Sequence, residues 1–78
     1  MILEIITPEK NIYKGEVISV KLPGTDGEFG ILNNHAPIIS TLTNGKITLE
    51  DANNKNIDFE INGGVIEMLN NKIIVLAD

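Results

Sequence analysis

The chain has no cysteine, no tryptophan and no arginine, a single histidine, and three aromatic residues, Tyr13, Phe29 and Phe59. Without cysteine, disulfides and thiolate metal sites are excluded as sources of stability. One histidine, His35, does not make a zinc site, which takes several nitrogen or sulfur ligands. Without arginine the planar fork that grips phosphate bidentately is missing. Six lysines are scattered among eleven carboxylates, for a net charge of -5. A nucleic-acid binder would carry a basic stripe, so nucleic acid and anionic lipid are poor matches as partner classes. No apolar run approaches the roughly 20 residues of a membrane-spanning helix. The amino terminus also lacks the basic start and long apolar core of a secretory signal. Seventy-eight residues allow one domain, 1–78. A chain of this size buries only about 60% of its unfolded surface, so a partner surface is an expected source of support.

What is present is β patterning. Ile18, Val20 and Leu22 alternate with Ser19 and Lys21; Ile47 and Leu49 alternate with Lys46, Thr48 and Glu50; Ile57, Phe59 and Ile61 alternate with Asp58 and Glu60. Each run has the period of a strand with one apolar face, and fourteen isoleucines add β-branched bias. These alternations predict a core containing Ile18, Val20, Leu22, Ile47, Leu49, Phe59 and Ile61. Strands are expected near Ile2–Thr7, Tyr13–Leu22, Ile38–Leu42, Lys46–Glu50, Val65–Leu69 and Lys72–Ala77. Asn44-Gly45 reads as a tight turn between two of them, Asp51–Asn56 as a hairpin loop, and Gly63-Gly64 as a bulge or bend. Short strands with turn signals between them predict an all-β fold, a small two-sheet antiparallel β-sandwich.

A sandwich this small has one interior, yet Val65–Leu69 and Ile73–Ala77 are largely apolar on both faces, and Ile2, Ile5 and Ile6 add to the surplus. Two readings stand: scattered exposed apolar residues, as soluble proteins carry, or a contiguous patch that a partner covers.

The segment Leu22–Pro37 concentrates three glycines, two prolines, Asp26, Glu28 and His35. It reads as a shaped surface on a β scaffold, with Gly24, Gly27, Gly30, Asn33 and Asn34 available for the left-handed region. It is not a phosphate loop, since no helix and no Gly-Lys-Ser/Thr follow. Asp26 and Glu28 are too close in sequence to face each other across a cleft as an acid/base pair, and Asp26 is expected to cap the turn. Ser40 and Thr41 lie in an apolar strand start, which leaves His35 without a nucleophile. For His35 the plain reading is a hydrogen bond to nearby backbone.

Gly24-x-x-Gly27-Glu28-Phe29-Gly30-Ile31-Leu32, followed by His35-Ala36-Pro37-Ile38-Ile39, resembles the signature of the epsilon subunit of F-type ATP synthases, in its amino-terminal β-sandwich domain. The likeness extends to Ser19-Val20-Lys21-Leu22-Pro23, to Asn62-Gly63-Gly64-Val65-Ile66-Glu67 and to the ending Ile73–Asp78. The resemblance implies a rotor subunit that clamps the foot of gamma and sits on the c ring, peripheral on the cytoplasmic face of the bacterial inner membrane. It implies no cofactor and no chemistry on this chain. By resemblance Asp26, Gly27, Glu28 and Phe29 lie at the bottom of the sandwich against the c-ring loops, and His35, Ala36, Pro37 and Ile38 lie along gamma. The family commonly has glycine before the histidine; Asn34 stands here and enters the left-handed region cheaply. Many relatives continue past this point into two regulatory helices, so a carboxy-terminal helical domain is expected to be absent. The alternative is a free-standing β-sandwich that binds a small ligand, a class that usually displays aromatics for stacking.

With no arginine and no phosphate-cradling loop, the 78-residue chain is expected not to bind nucleotide. Calorimetric titration with Mg-ATP should give only heats of dilution, and a one-to-one isotherm would refute this.

Overall fold

The alternating segments fold into six strands with no helix: β1 (Ile2–Ile6), β2 (Asn11–Gly24), β3 (Gly27–Leu32), β4 (Ile38–Asp51), β5 (Asn56–Leu69) and β6 (Lys72–Ala77). The computed structural model describes all residues from Met1 to Asp78. They form one sheet in the order β1-β6-β5-β4-β2-β3, and β1 also pairs with β2. Five strands therefore close on themselves into a barrel-like sandwich, and β3 hangs on β2 as a hairpin arm. The closure differs from two wholly antiparallel sheets, because β1 and β6 run parallel, with Leu3 opposite Ile73 and Ile5 opposite Val75.

Closure depends on three strands of fourteen residues, β2, β4 and β5. Each changes partner along its length. The first half of β2, Asn11–Glu16, pairs with β1; the second half pairs with β3 on one side and β4 on the other. The first half of β5 pairs only with β4, while Gly64–Leu69 pairs with both β4 and β6. A strand that passes between the two halves of a sandwich must bend and invert which side chains face inward, because strand side chains alternate strictly.

All three do so. In β2 the inward residues are odd-numbered up to Val17 and even-numbered from Val20 through Leu22 to Gly24. The pairing with β4 is irregular between Val17 and Ser19. This inserted residue carries Ile18 out of the core, leaving it 41% exposed. The alternation that places Ile18 with Val20 and Leu22 assumes one unbroken strand, which a bulge interrupts. The other expected core residues hold their faces: Val20, Leu22, Ile47, Leu49 and Ile61 are buried, and Phe59 packs half-buried against them.

Strands β4 and β5 invert together. Ile38, Ser40 and Leu42 lie opposite Met68, Ile66 and Gly64; beyond the corner, Gly45, Ile47 and Leu49 lie opposite Ile61, Phe59 and Ile57. Register is unchanged across the bend, so the two strands turn as a pair. Asn44-Gly45 is accordingly not a tight turn but the interior of β4, and the expected strands Ile38–Leu42 and Lys46–Glu50 are one strand. The local Asn-Gly signal is overridden because Asn44 and Gly45 stay paired with Asn62 and Ile61 of β5 across the bend. Gly63-Gly64 forms the bend, with φ of 126° and 152°. A Cβ on Gly64 would collide with the Leu76 carbonyl oxygen and come within 3.0 Å of Ala77 Cα. The loop Asp51–Asn56 is a hairpin connection, and Asp51 Oδ1 accepts from Asn53 N and Lys55 N, both at 2.9 Å.

Leu3, Ile5, Leu22, Ile31, Ile47, Ile66, Ile73 and Val75 have no exposed surface and form the centre of the core. Tyr13 closes one side, its ring 5.5 Å from that of Phe59. Burial first, and the negative charge of Asp51 second, hold the Tyr13 phenol above its ordinary pKa.

Gly64→Ala should lower stability by about 1–3 kcal/mol, because the new Cβ meets backbone that has nowhere to move and φ is unfavourable. Gly30→Ala, whose Cβ would find nothing nearer than Val20 O at 3.7 Å, should stay within about 1 kcal/mol. Urea denaturation of the two variants checks the difference.

Candidate interaction surfaces

The two expected site segments lie at opposite ends of β3. Its six residues span on the order of 15–20 Å at roughly 3.3 Å per residue, so the segments form separate surfaces. At the first end, β2 and β3 are joined through Thr25 and Asp26. The side-chain contact here belongs to Thr25, whose Oγ1 lies 2.8 Å from Thr41 Oγ1, and Thr25 N donates to Thr41 O at 3.1 Å. Asp26 is exposed, and the capping expected of it is supplied by Thr25. Gly27 and Glu28 are also exposed, but they stand in β3 rather than in a loop, Glu28 opposite Pro23. Phe29 is half-buried and packed against the core. Its ring occupies the space a side chain at Gly24 would need, 2.8 Å from an ideal Cβ there. Of the four residues, Asp26 and Glu28 present charge outward, and Phe29 turns much of its ring inward.

At the other end, His35, Ala36 and Pro37 are exposed and Ile38 is half-buried at the start of β4. Asn34 takes φ of 63°, the left-handed conformation expected of it. His35 N then donates to Leu32 O at 3.1 Å, and His35 Nδ1 lies 2.7 Å from Ala36 O. A carbonyl only accepts, so this contact requires the proton on Nδ1. The histidine is held by backbone, as its local reading predicts.

This loop does not hold itself alone. Asn71, in the β5–β6 turn, accepts from Asn34 N through Oδ1 at 2.8 Å and donates through Nδ2 to Asn33 Oδ1 at 2.8 Å. The Met1 ammonium donates to Glu16 Oε2 at 2.6 Å, to Val17 O at 3.2 Å and to Asn33 Oδ1 at 3.3 Å. Sequence reading missed this network, since its bonds join residues 15 to 38 apart and asparagine pairs signal only turns.

An apolar face continues from the loop. On the outer side of β4, β5 and β6, Ile39, Val65, Leu69 and Leu76 are exposed, Ile39 by 74%. In register, Thr41, Val65 and Leu76 form one row, and Ile39, Glu67 and Ile74 the next; Ile6 lies beyond Leu76 on β1. The two-faced apolar strands thus place Val65 and Leu76 outward side by side, with the exposed Glu67 between them and Leu69, while Ile2, Ile6 and Ile74 are half-buried and Ile5 is in the core. A groove of about 390 Å³ lined by Pro37, Ile38, Ile39, Glu67, Met68 and Leu69 joins this face to the histidine loop. A second groove, of about 480 Å³, runs over β2, β3 and β4 past Ser19, Lys21, Leu32, Thr48, Glu50 and Asn56. No aromatic side chain lines it, so it offers no stacking platform of the kind the free-standing ligand-binding alternative relies on.

Comparison with known proteins matches residues 1–78 to the β-sandwich domain of the ATP synthase delta/epsilon chain. The ATP synthase epsilon chain of Campylobacter concisus is 46% identical over 97% of this chain, which spans 59% of that relative. That of Chlorobium limicola is 42% identical over 97% of this chain and 86% of its own length. The chain thus spans about three fifths of some curated relatives and most of another. Among solved structures, a chain of the Euglena gracilis mitochondrial ATP synthase, in an assembly containing F1 and the c-ring, superposes with a TM-score of 0.92 at 23% identity, covering 99% of this chain and 49% of that one. A chain of the Tetrahymena thermophila mitochondrial ATP synthase central stalk and c-ring gives 0.81 at 17% identity, covering 99% and 62%. At these identities the structural likeness speaks to the fold.

Asn34 supports the loop through its backbone conformation. Asn34→Gly should be neutral within a few tenths of a kcal/mol, and Asn34→Ala should cost about 1–2 kcal/mol for the left-handed residue, as read by thermal or urea unfolding.

Proposed function

Because the chain belongs to the ATP synthase delta/epsilon chain family through its β-sandwich domain, we propose that it is a non-catalytic central-stalk subunit, peripheral to the cytoplasmic side of a bacterial membrane. In this role it binds gamma through the loop His35–Ile38 and the adjoining apolar face. It meets the polar loops of the c ring through the Asp26–Glu28 end, and so couples ion flow to ATP synthesis. The observation that carries this reading is the outward apolar row of Val65 and Leu76, continued by Ile39 and Leu69. A chain with so small a core gains nothing from exposing these side chains unless another surface covers them. The two ends of β3 suit two partners of different chemistry: an exposed acidic turn for a polar, loop-lined ring, and an apolar face with a rigid loop for a stably bound stalk subunit.

No chemistry is assigned to the chain. Its exposed carboxylates and its histidine are not gathered into a cluster of acid, base and nucleophile, and rotary coupling requires none: a part that transmits torque needs tight binding and a stiff body. The acidic turn acts through charge complementarity, which tunes association more than stability.

Substitutions on the two surfaces should separate. Ile39→Lys and Leu76→Lys should weaken association with gamma by about tenfold or more, since each removes an apolar contact of the 1.5–3 kcal/mol class. Glu28→Lys should leave gamma binding unchanged and reduce proton-driven ATP synthesis in reconstituted vesicles, by about two- to fivefold for an exposed ion pair. All three should unfold within about 0.5 kcal/mol of the parent chain. Parent-like gamma binding by both Ile39→Lys and Leu76→Lys would refute the assignment of that face.

A further inference from the structure

Asn71 lies in the β5–β6 turn, and its side chain makes two hydrogen bonds to Asn33 and Asn34, the residues that lead into the exposed segment His35–Pro37. Its Oδ1 accepts from Asn34 N and its Nδ2 donates to Asn33 Oδ1, both at 2.8 Å. The same Asn33 oxygen takes a second donor, the Met1 ammonium at 3.3 Å, and Ile2 N donates to Asn71 O at 3.2 Å. Asn71 therefore ties the β5–β6 turn to the β3–β4 loop through its side-chain amide and to the start of β1 through its backbone carbonyl.

We propose that Asn71 is a positioning residue for partner binding: its side-chain amide fixes the Asn33–Pro37 loop in the shape that a gamma-type partner surface takes. The proposal rests on the reading that this loop binds gamma. The loop is five residues without strand pairing; left free, it would lose conformational entropy on binding. The amide of Asn71 removes that loss in advance. Its two polar ends match the loop, an acceptor to the Asn34 N–H and a donor to the Asn33 carbonyl oxygen, which no aliphatic residue at this position could do. The neighbour Asn70 shares the turn and a left-handed backbone, φ of 52° against 62°, but its side chain takes no part in the network. Position 70 is thus an internal control for the turn itself.

The test uses the full chain and F1 stripped of its epsilon chain. Asn71→Gly keeps the left-handed backbone and removes the amide. It should raise the dissociation constant about tenfold, two hydrogen bonds' worth of preorganisation. Asn70→Gly should bind as the parent does. Asn71→Asp retains the acceptor and loses the donor, and should fall between them. Hydrogen exchange supplies the readout that a role in stability alone would not move: the Asn34 and His35 amides should lose protection in Asn71→Gly while Leu22, Ile47 and Ile66 keep theirs. Parent-like binding by Asn71→Gly, where the parent chain binds F1, would overturn the proposal and leave the reading of the loop intact. A parent chain that fails to bind F1 would overturn the reading, and the partner half of the proposal with it. Unchanged exchange at Asn34 and His35 would overturn the claim that Asn71 holds the loop. Should Asn71→Gly not fold, Asn71→Asp carries the same comparisons.

Discussion

The structure hangs on one bend. β4 and β5 run together as a pair and turn a corner at Thr43–Asn44 and Asn62–Gly64 without slipping register. The turn inverts which residues face inward, from Ile38 and Leu42 to Ile47 and Leu49 on one strand, and from Met68 and Ile66 to Ile61 and Phe59 on the other. If the strands stayed straight, one half of each would show its apolar face to water. Backbone of positive φ at Gly63 and Gly64 is what permits the bend. The close approach of Leu76 and Ala77 excludes any side chain at Gly64. Once this corner exists, β6 can reach β1, β1 can reach β2, and the sheet closes.

Closure has a cost in surface. A closed sheet with so few residues has little interior, and the strands that line it are apolar on both sides. The inner set, Ile66, Met68, Ile73 and Val75, makes the core. The outer set, Val65, Leu69 and Leu76 with Ile39 from β4, is left facing out. Stability and binding are therefore drawn from the same strands: one face holds the domain together and the other is available to a second surface. Such a domain is expected to be most stable when assembled.

Polar groups do a different job. The structure has two ion pairs: Lys46–Asp58 at 3.9 Å is exposed and of little weight, and the part-buried pair of the Met1 ammonium with Glu16 at 2.6 Å fixes the amino terminus. Ordering of the exposed loops comes from amides instead. Asparagine at positions 34, 54, 70 and 71 takes the left-handed backbone that glycine adopts most freely. At Asn71 it adds a side-chain amide that glycine could not. The amino terminus joins the same network through its ammonium. Thus the loop next to the apolar face is held rigid without being buried.

Much of this was legible in the order of residues. Period-two alternation identifies β structure because a pleated strand imposes it locally, and within any one stretch it identifies the inward face, as for Val20 and Leu22 or Ile47 and Leu49. The segment Leu22–Pro37 stands out through its glycines and asparagines, of which Gly27 and Asn34 take positive φ, but much of it is the β2–β3 hairpin, and the two surfaces proposed on it rest on a family resemblance. What the sequence could not give is phase across a break. Ile18 follows the alternation of Val20, yet a bulge placed by the partner strand turns it outward. Asn44-Gly45 carries a turn signal, yet the strand opposite, bending at the same level, keeps it inside β4. The Asn71 network joins residues that meet only once the sheet has closed. Alternation is a property of one strand and is written in one stretch of chain. Phase, corners and cross-links are properties of pairs of strands, and only the closed structure decides them.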